Sequence, residues 1–324
     1  MRRLLGIVAL LCVTAAAAPA QDAQKVLETY RRNFAIASLD VKIQILQDAA
    51  AASTAKELGP LFQQAIEFVL ENATLLPADP RFRQLGAIAA DQVATIGFAP
   101  ARTALWRLFM EDAETGTRIR IENALGAVGA GDAEVIDRLN RFLDSQNALF
   151  AAGKGSDQQV VPAILRAQGR LGDPSSFPGI FTAMVLGYSA ETTQVAKESL
   201  LAVKGDLREL LAGIVKTGHP AEKLLALQMA VEGDRVSGDD AAQLAELALD
   251  VGLHTSASDT GSRASLRAMR VLAAKTLRDR SWQKASPLLI EHLDMTIMEA
   301  DRGLADKGAL LEAIASLGTI GTHE

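Results

Sequence analysis

The sequence predicts an all-α protein built as an α-solenoid of stacked antiparallel helix pairs. Three observations carry that expectation. Of 324 residues, 49% are apolar but only 4% aromatic, and Ala and Leu dominate, which favours helix over sheet. Apolar positions recur at spacings of three and four, and no strand pattern survives in the body of the chain. A Gly-Asp turn follows Ala- and Leu-rich stretches four times, at Gly131-Asp132, Gly172-Asp173, Gly205-Asp206 and Gly233-Asp234.

The first element is a leader. Arg2 and Arg3 precede a short apolar run from Leu4 to Val13, and Ala18-Pro19-Ala20 offers a small-x-small cleavage site before Gln21. This pattern is a secretory signal peptide over residues 1–20, too short for a comfortable membrane span. It predicts a periplasmic or secreted protein that meets the membrane only through targeting. The one cysteine, Cys12, lies inside the apolar run. Lipidation there would need a small residue before the cysteine, and Leu11 stands in its place. The mature chain, 21–324, then lacks disulfides and thiolate chemistry, so its stability comes from packing. Cleavage removes two arginines and takes the formal charge from −6 to −8. A chain this acidic is a poor match for nucleic acid or an anionic membrane surface.

Beyond the leader, the periodicity gives eight pairs: 22–36 with 40–52, 57–73 with 79–97, 100–112 with 115–129, 132–150 with 157–171, 174–187 with 190–204, 206–217 with 219–233, 237–253 with 260–279, and 282–299 with 302–319. Counting weaker copies at Phe98, Asp279 and Thr319, the turns are spaced by roughly 28 to 45 residues, the range of helix-pair repeats. The turn has a direct cause. Gly takes the left-handed conformation beyond a helix end without steric cost. Asp accepts bonds from the free N–H groups that open the next helix. Pro174 after Asp173 falls at a first helical position, where its missing N–H does no harm. Asp206 and Glu209 have capping-box spacing. In 206–217, Leu207, Leu210, Leu211, Ile214 and Val215 form a stripe that one helix cannot bury alone.

The segment Arg166-Ala167-x-Gly169-x-Leu171-Gly172-Asp173-Pro174 resembles the HEAT-repeat consensus, close to the short bacterial form found in PBS-lyase-like repeats. The resemblance is good from about 100 to 235 and weak outside. It implies a superhelical stack of about seven or eight pairs that binds a protein or peptide along a concave face of second helices. On those helices lie Arg118, Arg120, Glu122, Arg166, Arg170, Lys197, Glu198, Glu222 and Lys223. Of these, Arg118, Arg166, Arg170 and Lys197, together with Trp282, are the candidate partner contacts. The longest interruptions, 72–80, 151–158 and 254–263, all fall inside pairs, so one edge carries tight turns and the other variable loops.

Catalytic motifs are not apparent. The four histidines, His219, His254, His292 and His323, form no His-Glu-x-x-His, although Asp250 and His254 share a helix face and Glu291 and Asp294 flank His292. No metal or other cofactor is expected. No Gly-x-Ser-x-Gly occurs, and Gly153–Asp157 lacks the first glycine of a phosphate loop. Asp239-Asp240 fits a helix start, and Asn72-Ala73-Thr74 a glycosylation sequon. HEAT-like iron hydroxylases use repeated His-Glu pairs, and here the only one is His323-Glu324. The expectation is an exported, non-catalytic scaffold. Its alternatives are a HEAT-like enzyme or regulatory subunit with a metal or cofactor, and a structural envelope protein.

Overall fold

A computed structural model describes residues 23–52, 56–232, 236–305 and 307–320. The leader, its cleavage site at Ala20 and Gln21, Cys12, His323 and the Gly233-Asp234 turn lie outside the described residues. Among the described residues there are sixteen α-helices, five 3-10 turns and no strand. The helices fall into the eight expected pairs: α1 (23–36) and α2 (Leu39–Ala52), α3 (Gly59–Glu71) and α4 (Pro80–Ile96), α5 (Arg102–Glu111) and α6 (Thr115–Val128), α7 (Ala133–Ala151) and α8 (Val161–Leu171), α9 (Phe177–Leu186) and α10 (Ala190–Ala202), α11 (Leu207–Thr217) and α12 (Pro220–Glu232), α13 (Gly238–His254) and α14 (Thr260–Asp279), and α15 (Ser286–Asp301) and α16 (Lys307–Ile320). No described helix is long and apolar enough to cross a membrane.

The chain divides into two compact units. The first runs through Val203 and holds pairs one to five, and the second begins at Lys204 and holds pairs six to eight. Within the first unit the second helices pack in sequence order, α2 on α4, α4 on α6, α6 on α8 and α8 on α10. In the second unit α12, α14 and α16 do the same, and α11, α13 and α15 form the other layer. Small residues set the spacing of the second-helix layer. A Cβ on Gly126 of α6 would come 2.8 Å from Ala167 Cα of α8, and one on Gly169 of α8 would come 3.1 Å from Ser199 Cα of α10. Any larger residue there would force the pairs apart. The first unit also strings aromatics through its layers: Phe34–Phe68–Phe82, Trp106–Phe109–Phe142 and Phe150–Tyr188.

The Gly-Asp turns are built in more than one way. Gly172 is the left-handed cap of α8 at φ 63°, and Asp173 accepts from the Ser175 N–H at 2.9 Å. Pro174 opens a 3-10 turn that leads into α9. Gly131 and Gly205 also have positive φ, but they sit in the connecting turn rather than at the helix cap. The expectation that each ends its helix directly is corrected there. Asp132 accepts from the Glu134 and Val135 N–H groups, and Asp206 from that of Arg208. No capping box closes at Asp206, because Glu209 turns to Arg208 instead, at 3.5 Å.

A second repeated device was not visible in the turns. The fourth residue of α2, α4, α6 and α12 is basic: Lys42, Arg83, Arg118 and Lys223. The lysines reach back within their own pair. Lys42 Nζ donates to the carbonyls of Phe34 and Ala35, and Lys223 Nζ to those of Val215 and Lys216 at 2.6 and 2.7 Å. In each pair those carbonyls belong to the last turn of the first helix, where no intrahelical donor remains. The arginines reach forward to an aspartate in the next pair's loop. Arg83 Nε lies 3.4 Å from Asp112, and Arg118 pairs with Asp157. In α14 the same work falls to Arg270, which donates to the Gly252 carbonyl of its own pair and bridges both oxygens of Glu299 in the next. The lysine stem and compact ammonium suit a pair of carbonyls, whereas the guanidinium fork spans two pairs.

Replacing Lys223 by Met leaves one buried and one part-buried carbonyl without a donor. Urea denaturation should show a destabilisation of about 2–4 kcal/mol, and an unchanged midpoint would mean that these bonds do not hold the pair.

Candidate functional site

The second-helix layer of the first unit carries two successive hollows. One, about 500 Å³, lies over α2, α4 and the start of α6, with Gln47, Arg83, Gln84, Glu114 and Arg120 on its walls. The next, about 440 Å³, lies over α6, α8 and the start of α10, lined by Ile119, Gln158, Gln159, Pro162, Arg166 and Glu191. Each hollow carries an exposed arginine that bridges neighbouring second helices. Arg120 pairs with Asp91 of α4 at 2.8 Å, and Arg166 with Glu191 of α10 at 3.0 Å. Exposed pairs of this kind are weak, so both partners are free to exchange with a ligand. In the second unit a hollow of about 470 Å³ lies instead on the first-helix layer, between Arg208 and Lys216 of α11 and Gln243 of α13.

The five candidate contacts are scattered. Arg166 lies in the second hollow, and Arg170, one turn on, is exposed with only the Asn123 carbonyl and amide oxygens near it, at 3.4 and 3.5 Å. Lys197 is exposed on α10. Trp282 is half-buried, and its indole N–H donates to Glu246 at 2.7 Å, so its polar edge is already used. Arg118 is turned inward: its guanidinium carbon sits 4.3 Å from the Phe109 ring centre and 5.3 Å from that of Phe142. Three further charged residues expected on the open face are buried as well. Lys223 is the strut described above, Glu222 caps His219 N–H at 2.8 Å, and Glu122 is wholly buried. Arg118, Glu222 and Lys223 stand in the first turn of their helices, and Glu122 one turn beyond Arg118 on the same face.

Glu122 is the least ordinary of them. It stands one turn after Arg118 on α6, and neither carboxylate oxygen has a hydrogen-bond partner. Burial pushes its pKa from 4.5 up to about 8, with the Arg118 charge opposing that rise only in part. Beside it, Arg118 Nε is also buried without a partner. Asp157, from the loop read as a failed phosphate motif, completes the group through its ion pair with Arg118. The sequence signal for this cluster is the i, i+4 spacing of Arg118 and Glu122, which says nothing of burial.

The histidines do not converge. His254 is exposed and bridges Asp250 at 3.1 Å and Glu291 at 3.6 Å, so Glu291 turns away from His292. The Asp250 carbonyl first, then the Glu291 charge, raises the pKa of His254. His292 is buried, and burial, with the Arg270 charge adding to it, lowers its pKa to about 4. Among the described residues no three His, Cys, Asp or Glu side chains gather as a metal site. Asn72 of the sequon donates its amide to the Phe68 carbonyl at 2.8 Å. Ser237 caps α13 and Asp240 accepts from its hydroxyl, so Asp240 serves the helix start.

Compared with protein-family models and with curated proteins, the chain matches none. The HEAT resemblance therefore rests on the repeat-turn residues themselves.

The two perturbed groups bend stability with pH in opposite senses. Between pH 4.5 and about 8 the folded first unit holds a Glu122 proton that the unfolded chain has released. Its stability should fall across that window by roughly 5 kcal/mol. Glu122→Gln should remove the slope, leaving the variant more stable than wild type at pH 9 and nearly equal at pH 4.5. In the second unit, His292 stays neutral from its ordinary 6.5 down to about 4, where the unfolded chain is protonated. That unit should lose roughly 3 kcal/mol as pH falls through the window, and His292→Leu should flatten the loss. Urea unfolding at a series of pH values, read by amide exchange in α6 and α15, checks both.

Proposed function

We propose that the chain is an exported, non-catalytic scaffold with a HEAT-like architecture, and that it binds a protein or peptide segment along the second-helix layer of its first unit. The observation that carries this reading is the pair of hollows on consecutive steps of that layer. Both are open, both offer hydrogen-bond donors and acceptors, and each is bridged by an arginine–carboxylate pair that a ligand can displace. An extended segment lying across α4, α6 and α8 would meet Arg120, Arg166 and Arg170 in succession. Arg118 has no part in it, since its charge is spent inside the unit. Export through the 1–20 leader would bring the scaffold to its partner in the envelope or outside the cell.

Site-specific photo-crosslinking tests the proposal. A crosslinker at position 120 or 166 should trap one defined partner, and a crosslinker at 141, on the exposed outer side of α7, should trap none. Charge reversal by Arg166→Glu should lower the yield from position 120 by about tenfold. Equal trapping from 120, 166 and 141, or none from any, would defeat the assignment.

A further inference from the structure

The wall of the second hollow is tied down at one residue. Gln158 and Gln159 line it, and both follow Asp157 in the segment joining α7 to α8. Asp157 holds that segment from several sides. Its N–H donates to Gln146 Oε1 of α7 at 2.7 Å, its carbonyl accepts from the Val160 N–H at 3.0 Å, and its carboxylate pairs with Arg118 of α6. Arg118 is thus the only side chain of α6 bonded to the segment through Asp157.

One turn along the same helix, Glu122 presents two unpartnered oxygens, and Arg118 has an unpartnered buried Nε. A donor without an acceptor and an acceptor without a donor lie on one face of α6. Of the charged groups on the elements packed on α6, those of α5 are Arg102, which pairs with Asp132 at 3.0 Å, and the exposed Arg107 and Glu111. From α4, Asp91 holds Arg120 and Arg83 holds Asp112 at the end of α5. From α8, Arg166 holds Glu191 and Arg170 leans on Asn123. Arg118 is the one charge that acts on Glu122.

We propose that Arg118 exchanges Asp157 for Glu122 when Glu122 loses its proton, so that one buried proton decides whether the 152–160 segment is tied to α6 and how firmly the wall of the hollow beside it is held. With Glu122 protonated, a neutral carboxyl needs no cation and Arg118 belongs to Asp157. When the proton leaves for solvent, the bare carboxylate is buried and must be paired. Arg118 is within a turn and has a free donor. Asp157, which is partly exposed, is the partner that water can satisfy instead. The segment then loses its bond to α6. As burial holds the Glu122 proton well above the usual carboxylate range, the exchange belongs to neutral and mildly alkaline pH. This regulation rests on the reading of the hollow as the binding face, but the exchange itself does not require a partner.

The test is amide hydrogen exchange on the full chain alone, from pH 6.5 to 9.5, corrected for the intrinsic rate. In the wild type, protection at Asp157, Val160 and Val161 should fall by about tenfold across the range, with a midpoint near that of Glu122. In Glu122→Gln it should stay within about twofold, and in Asp157→Asn it should be low throughout. Carboxyl carbon NMR of the wild type gives the Glu122 midpoint directly, independent of how any variant folds. Flat protection in the wild type, an equal fall in Glu122→Gln, or midpoints more than about one pH unit apart would overturn the exchange. Because no partner is present, these outcomes are separate from the crosslinking result.

Discussion

The last turn of a helix leaves up to four carbonyls without partners, and in three pairs here a cation of the second helix reaches back to them. Lys42, Lys223 and Arg270 each carry a cation from the start or middle of a second helix to the carbonyls that close the first helix of the same pair. Arg83 and Arg118 carry theirs to an aspartate in the following pair. The pair is closed in one case, and the step between pairs is closed in the other. Apolar stripes and small residues bring the helices together, but they leave these polar ends to be satisfied.

That same requirement explains why Glu122 stands out. Around it Arg83, Arg120 and Arg166 each have a carboxylate partner, and the layer is packed closely through Gly126 and Gly169. A carboxyl in that position costs stability when ionised and little when protonated. Its neighbour Arg118 is shared in principle and committed in fact, which is the arrangement a two-state exchange requires. The open hollow next to it is bounded by the segment that Arg118 holds. Charge within the seam and shape on the surface are therefore linked through one guanidinium.

Much of the fold is legible in the chain. All sixteen helices lie close to where the apolar spacing puts them, and the loops at 72–80, 151–158 and 254–263 fall inside pairs, because helix periodicity and turn chemistry are local properties. Gly172, Asp173 and Pro174 do what their chemistry requires. Gly131 and Gly205 do not cap their helices directly, since residues 129–130 and 203–204 continue the exit of the chain before the glycine bends it. The candidate site was less legible. Arg166 and Arg170 lie on the open layer, whereas Arg118, Glu122, Glu222 and Lys223 are inside it.

The sequence by itself determined the helical class, the pairing, the places where helices stop, and the acidic balance of the chain. It did so because each depends on a few consecutive residues and their intrinsic preferences. Only the tertiary structure decided which charges are buried and with whom. Asp157 lies 39 residues from Arg118, Asp112 29 from Arg83, and Glu191 25 from Arg166. Those meetings depend on how far one pair is rotated and shifted on the next. That register is set by side-chain packing between pairs, such as Gly126 against Ala167, and no local pattern encodes it.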